Sequence, residues 1–339
     1  MHQKRNVYLI ALDGYARWDV IRRSTGIDLD PLFDRIGEGG FRVARNATAN
    51  YPTTFLSLSS TLQMGYVALP ESVPPTSTQP FLRIIQGRSE TVRLFKSLGY
   101  HYIHSGSGWA GAACGRAADV CITSERGRLW QLSELPSALI AMTPLRLISR
   151  KFRSQLNEFG GLFELVDALE THTLPEPFLL FAHVLSPHPP FSRLADCSVR
   201  PTGGDLDEWI STKAYAEKIH CTNRNIEELV ALLGRKDPDA IVVLFSDHGS
   251  AFTAPFGSAF GKWTDAMLQE RLPTLIAAKF PEQCNSWFRD DMTNVNIVRF
   301  VLGCLQNKAP DYLPDRRFFA NYKAVRVMEV SRGRLIVGD

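Results

Sequence analysis

AIVVLFSDHGS, residues 240–250, is the stretch on which the reading of this chain turns. The apolar run reads as a buried strand, and its end delivers an acid, Asp247, and an imidazole, His248, side by side into solvent with Gly249 directly behind them. Working outward, similar runs recur at 6–12 (NVYLIAL), 41–47 (FRVARNA), 100–106 (YHYIHSG), 178–185 (FLLFAHVL) and 274–280 (TLIAAKF). Helical periodicity falls between them, around 30–38, 54–64, 90–98, 160–171, 207–235 and 292–306. That alternation predicts an α/β domain with a mostly parallel sheet covered on both faces. In the segment 207–235, Tyr215, Ile219, Ile226, Leu229, Val230 and Leu233 form the apolar stripe of a helix lying on a sheet. The final KAVRVMEVSRGRLIVGD, residues 323–339, reads as a hairpin turning at SRGR.

The bulk numbers narrow the function classes. With 339 residues, 45% apolar and 22% charged, the chain has ordinary globular composition and enough length for a sizeable core. Lys plus Arg number 38 against 35 for Asp plus Glu, a margin too small for a nucleic-acid surface. The opening MHQKRNVYLIAL stops at Asp13 without the length or cleavage site of a signal peptide, and no apolar stretch reaches the roughly 18–20 residues of a membrane span, so a soluble chain is expected. RLWQLSELPSALIAMTPLRLISRKFR, residues 128–153, ends in a basic cluster, which suits a membrane-surface contact, a lid, or a packed helix pair with a solvated basic end. The six cysteines show no paired CxxC spacing and hence no structural zinc signature. Cys114 and Cys121 are close enough to close a small loop disulfide in an oxidising compartment, the alternative being that all six stay reduced.

Ligands of open α/β sheets sit at the carboxyl ends of the strands, so the polar residues just past those ends are the ones that carry chemistry. Asp13 follows strand 6–12, His188 follows 178–185 in SPHPPF, Asp247 and His248 follow 240–246, and His104 precedes the turn SGSGW. Two carboxylates and an imidazole form a ligand set for one divalent ion such as Zn²⁺ or Mn²⁺. In NYPTTFLSLSSTLQMGY, residues 50–66, Thr53 and Thr54 stand where a loop enters a helix whose first N–H groups favour an anion. A hydroxyl there can act as a nucleophile beside a metal ion, or merely cap the helix. Setting Thr54 on the first turn lets Phe55, Leu58 and Leu62 share the core face and leaves Thr53, after Pro52, as the cap.

Taken in order, LDG, NYPTTFLSLSS, SPHPPF and SDHG resemble the sulfatase branch of the alkaline phosphatase superfamily, and nearly the whole chain takes part. The resemblance is to domains of lipoteichoic acid synthases and phosphoethanolamine transferases. It implies one α/β/α sandwich over 1–339, with Asp13, Thr54, Asp247 and His248 around one divalent ion. It further implies Thr54 as nucleophile, with Thr53 as the fallback in a shifted register, His188 as substrate contact or leaving-group acid, and His104 as a phosphate contact. The implied activity is phosphotransfer or phosphodiester hydrolysis through a phosphothreonine, on a phospholipid head group or phosphorylated glycan, at the periplasmic or extracellular face of a membrane. A sulfatase-like ester hydrolase and a non-enzymatic binding module remain alternatives. No C/S-x-P-S-R motif occurs, so ester hydrolysis through formylglycine is not expected. After SDHGS no histidine follows in AFTAPFGSAFGKW, which leaves His183 as the available addition toward a second metal.

Overall fold

The computed structural model describes residues 4–72, 75, 77–107, 109–122, 161–200, 209–253, 263–321 and 324–330. Their strands are β1 (Val7–Leu12), β2 (Phe41–Val43), β3 (His101–Ser105), β4 (Val120–Ile122), β5 (Phe178–Val184), β6 (Ile241–Phe245), β7 (Ile276–Lys279), β8 (Phe318–Asn321) and β9 (Ala324–Glu329). Their α-helices are α1 (Trp18–Thr25), α2 (Asp30–Glu38), α3 (Thr54–Gln63), α4 (Gln79–Ile85), α5 (Glu90–Ser97), α6 (Leu162–Thr171), α7 (Thr212–Lys236), α8 (Asp265–Arg271) and α9 (Ile297–Gln306).

All six residues of β1 are buried, because the strand lies at the middle of the sheet with helices on both sides. The strand order is β2-β7-β6-β1-β5-β3-β4. Pairings among β6, β1, β5, β3 and β4 are parallel, and β7 runs antiparallel to both β6 and β2. Successive side chains of a strand point to opposite faces. Tyr8, Ile10 and Leu12 accordingly join the core under α1, α2, α6 and α7. Val7, Leu9 and Ala11 join the other core, under α3, α4, α5 and α9. The expected α/β/α sandwich with a mostly parallel sheet is what forms.

Boundaries shift where tertiary contacts override local pattern. β2 stops at Val43, short of residue 47, and Thr48 is instead bridged to Pro273 and Thr293. α7 begins at Thr212, not at 207, because the Ser211 hydroxyl caps it by accepting from Ala214 N–H at 3.1 Å. The helix expected from 292 opens as a 3₁₀ turn, Asn294–Asn296. The short elements α1, α4, α8 and β4 were not expected. A two-stranded antiparallel hairpin forms from β8 and β9, and the turn expected at SRGR lies outside the described residues. β8, which precedes the segment read as the hairpin, packs Phe318 on Tyr51 and Tyr66.

Cys114–Cys121 is bonded, and the fold adds Cys197–Cys221 and Cys284–Cys304, with Cα–Cα separations of 6.1, 4.9 and 5.6 Å. Among the described residues no helix is long and apolar enough to cross a membrane. The segment 128–153, read as a membrane-surface contact or lid, lies outside the described residues, as does SRGR.

Candidate active site

Three adjacent parallel strands, β5, β1 and β6, end on the same edge of the sheet, and that edge gathers the titratable side chains. Asp13 follows β1, Asp247 and His248 follow β6, and His183 is the penultimate residue of β5. The turn after Asp13 needs Gly14, with φ +74° and an ideal Cβ only 2.9 Å from the Trp209 ring. Gly14 N–H donates to Asp247 Oδ1 at 3.3 Å and His248 N–H donates to the same oxygen at 3.0 Å, so Oδ2 is the oxygen presented to the site. Gly249 is required for a different reason: a Cβ there would stand 2.2 Å from the Glu270 carbonyl oxygen and 2.9 Å from that of Pro273.

From the opposite layer, α3 brings Thr54 in at its first turn, and Thr54 Oγ1 lies 3.1 Å from His248 Nε2. His248 Nε2 is also 3.2 Å from Asp247 Oδ2 and 3.4 Å from Asp13 Oδ1. On the far side of Asp13, His183 Nε2 approaches Oδ2 at 3.3 Å. His248 Nδ1 lies 3.0 Å from the Gly249 carbonyl, which can only accept, so Nδ1 carries the proton and Nε2 presents a lone pair. Burial, with the nearby Arg271 charge, holds the His248 imidazole well below its ordinary pKa and therefore neutral.

This constellation is buried and under-bonded. Asp13 is 4% exposed, His183 and His248 are each 1%, and Asp247 is 0%. Asp13 Oδ1, Asp247 Oδ2 and His183 Nε2 have no hydrogen-bond partner, since the close approaches between them are not aligned as hydrogen bonds. Burial, then the neighbouring Asp13 carboxylate, pushes Asp247 up to about 7. Burial also opposes the charge on Asp13, but the fields of His188, His183 and His248 carry its pKa below the usual carboxylate range. Two buried carboxylates and the lone pair of a neutral imidazole converging on one point are reconciled by a cation. The side chains of Asp13, His183 and Asp247 each offer a ligand atom within 4.8 Å of the others, and the oxygen and nitrogen donor set fits a divalent ion.

The structure brings Asp13, Thr54, Asp247 and His248 close to one another and sets His183, which sequence reading left only as a contributor to a second metal, beside Asp13. His183 is oriented by Ser107, whose Oγ lies 2.8 Å from its Nδ1. His188 stands close by: its ring is 6.3 Å from that of His248, its edge packs on Trp209, and its N–H donates to the Asp13 carbonyl at 3.0 Å. Lys218 holds this loop through the carbonyls of Leu185, His188 and Pro190. His104, expected as a phosphate contact, has no exposed surface and both its ring nitrogens are engaged, by Tyr102 Oη at 2.8 Å and the Ala112 carbonyl at 2.9 Å. That geometry is a packing role, because nothing on the ring is left for a ligand. Thr53 occupies the expected N-cap position but its side chain makes no capping bond.

Arg271 is a positioning group that the sequence did not signal, since LQERLP reads as an ordinary helix end. Its buried guanidinium donates to the Pro52 carbonyl at 2.8 Å and to the Gly249 carbonyl at 2.9 Å, tying the Thr54 loop to the Asp247–His248 loop.

Residues 161–287 match the family model described as Sulfatase, a segment that carries His183, His188, Asp247 and His248. The C-terminal periplasmic domain of EcEptC from Escherichia coli, in complex with Zn, superposes with a TM-score of 0.63 over 97% of this chain and 93% of its own, at 12% identity. The soluble domain of lipooligosaccharide phosphoethanolamine transferase A from Neisseria meningitidis matches this chain with a TM-score of 0.51, 12% identity and coverage of 90% and 89%. The phosphonate monoester hydrolase of Agrobacterium radiobacter does so with a TM-score of 0.51, 12% identity and coverage of 93% and 80%. At these identities the structural likeness concerns the fold. No curated protein matches the chain in sequence. The family match over residues 161–287 supports an enzyme of phosphoryl or sulfuryl ester transfer or hydrolysis.

Proposed function

We propose that residues 1–339 form one catalytic domain that transfers or hydrolyses a phospho-substituent through a covalent phosphothreonine at Thr54. The observation that carries this reading is the placement of Thr54 Oγ1 at the mouth of α3, 3.1 Å from His248 Nε2 and beside the Asp13–Asp247 pair. Asp13, Thr54, Asp247 and His248 would hold one Zn²⁺ or Mn²⁺, with His183 on the other side of Asp13. When bound, such an ion lowers the pKa of the Thr54 hydroxyl and offsets the negative charge that develops on the phosphoryl oxygens. Thr54 Oγ1, its proton released to solvent, forms the new bond to phosphorus while the bond to the leaving oxygen breaks, and His188 contacts the substrate or delivers a proton to that oxygen. The first-turn N–H groups of α3 and its positive dipole end face the anion.

A phospholipid head group or phosphorylated glycan is the substrate class, with work at the periplasmic or extracellular face. Three disulfides support an oxidising compartment. The test is the intact mass of zinc- or manganese-loaded protein after incubation with candidate phospholipids and with a chromogenic phosphodiester. An adduct that maps to Thr54 is expected; turnover with the adduct on another residue refutes the assignment. Adding a glycan acceptor to the same reaction separates transfer from hydrolysis.

A further inference from the structure

We propose that the Thr53 hydroxyl donates a hydrogen bond to the tetrahedral oxyanion transferred at Thr54, an inference that rests on the phosphothreonine reading. Sequence reasoning made Thr53 a helix cap. Its backbone does take the N-cap conformation, φ −124° and ψ 139°, yet the side chain caps nothing. Thr53 is 3% exposed, and its Oγ1 is buried with no hydrogen-bond partner. A buried hydroxyl that bonds to nothing destabilises the folded chain, so a Thr retained for packing alone would be better replaced by Val.

Its surroundings name the ligand. A side chain on extended backbone at the N-cap stands at the mouth of its helix, beside first-turn N–H groups. In α3 this side chain does not take up those groups, and the helix dipole is positive at that end. The next residue brings Thr54 Oγ1 to 3.1 Å from His248 Nε2, so the unpartnered donor and the proposed nucleophile are consecutive residues at one helix mouth. A tetrahedral phosphoryl or sulfuryl group bonded to Thr54 has peripheral oxygens that accept hydrogen bonds and carry negative charge through the transfer. The donor is thereby matched to the group in transfer and not to the variable remainder of the substrate.

The experiment titrates zinc-loaded wild type, Thr53→Val, Thr53→Ser and Thr54→Ala with inorganic phosphate, and in parallel with sulfate, by isothermal calorimetry. The metal-free proteins are melted alongside. Thr53→Val keeps the shape of the side chain and is expected to bind phosphate about tenfold or more weakly, the loss of one hydrogen bond to a charged group, while melting at the same or a higher temperature. Thr53→Ser keeps the hydroxyl and should bind within about twofold of wild type. Wild-type affinity in Thr53→Val overturns the inference. So does a melting point lowered by several degrees, which would mean that the hydroxyl bonds within the protein. If Thr54→Ala meanwhile abolishes the covalent adduct, the phosphothreonine reading stands without the Thr53 contact. A wild type that binds neither anion sinks both. Binding of sulfate in preference to phosphate, weakened by Thr53→Val, supports the donor and refutes a phosphoryl group as its partner.

Discussion

Asp247→Asn separates the metal-binding role of this carboxylate from its structural one. In the wild-type chain Asp247 Oδ1 accepts from Gly14 N–H at 3.3 Å and from His248 N–H at 3.0 Å, and an Asn carbonyl can keep both bonds. The amide nitrogen would replace Oδ2, 3.2 Å from the His248 Nε2 lone pair, where an N–H can donate. The substitution also removes one of two mutually repelling buried carboxylates. Without metal, the variant should therefore be at least as stable as wild type. With metal the order reverses. An ion at about 100 times its Kd stabilises the native state by about 2.7 kcal/mol. For 339 residues at about 2.1 cal/mol/K each, the unfolding entropy is about 0.7 kcal/mol/K, so this stabilisation raises Tm by about 4 °C. Scanning calorimetry with chelator and with added Zn²⁺, together with elemental analysis, provides the assay. Wild type should shift by about 4 °C, and Asp247→Asn should not shift and should carry no stoichiometric metal. Full metal occupancy in the variant, or an equal shift, refutes the reasoning.

Thr54→Ala should fold, keep part of its metal affinity through Asp13, Asp247 and His248, and lose turnover by about 10²-fold or more, measured with a chromogenic phosphodiester. Gly249→Ala places a methyl 2.2 Å from the Glu270 carbonyl, and backbone cannot yield as a side chain tip does; a loss of about 3 kcal/mol or more is expected in urea unfolding, and a loss under 1 kcal/mol would contradict the packing described. Glu270→Ala leaves Ser250 Oγ, the N–H groups of Phe252 and Thr253, and the Thr253 hydroxyl without their acceptor, so the loop after His248 should loosen and unfolding stability fall by about 3 kcal/mol, read by the same urea unfolding and by faster amide exchange at 250–253. Protein made in an oxidising compartment and digested without reduction should give three cystine peptides, 114–121, 197–221 and 284–304; free thiols at these positions would remove the internal support for export.

By itself the sequence determined the layered α/β/α arrangement and the strand ends that carry chemistry. Long apolar runs break at Asp13 and at Asp247–His248, and a strand buried on both faces can release a charged side chain only at its end, so those three residues were legible. The helical stripe of Phe55, Leu58 and Leu62 likewise placed Thr54 on the first turn and Thr53 before it. What the stripe could not reveal is that the Thr53 hydroxyl caps nothing, because N-cap position follows from local backbone whereas its hydrogen bond depends on side-chain rotation. His183 was hidden inside FLLFAHVL: one imidazole in an apolar run reads as core, and only the pairing of β5 beside β1 brings it to Asp13. His104 misled for the converse reason, being near a strand end yet satisfied by Tyr102 and Ala112. Arg271 and the bonds Cys197–Cys221 and Cys284–Cys304 were decided by tertiary structure alone. Each joins segments distant in sequence, and no local periodicity records which side chain meets which carbonyl or sulfur once the layers close.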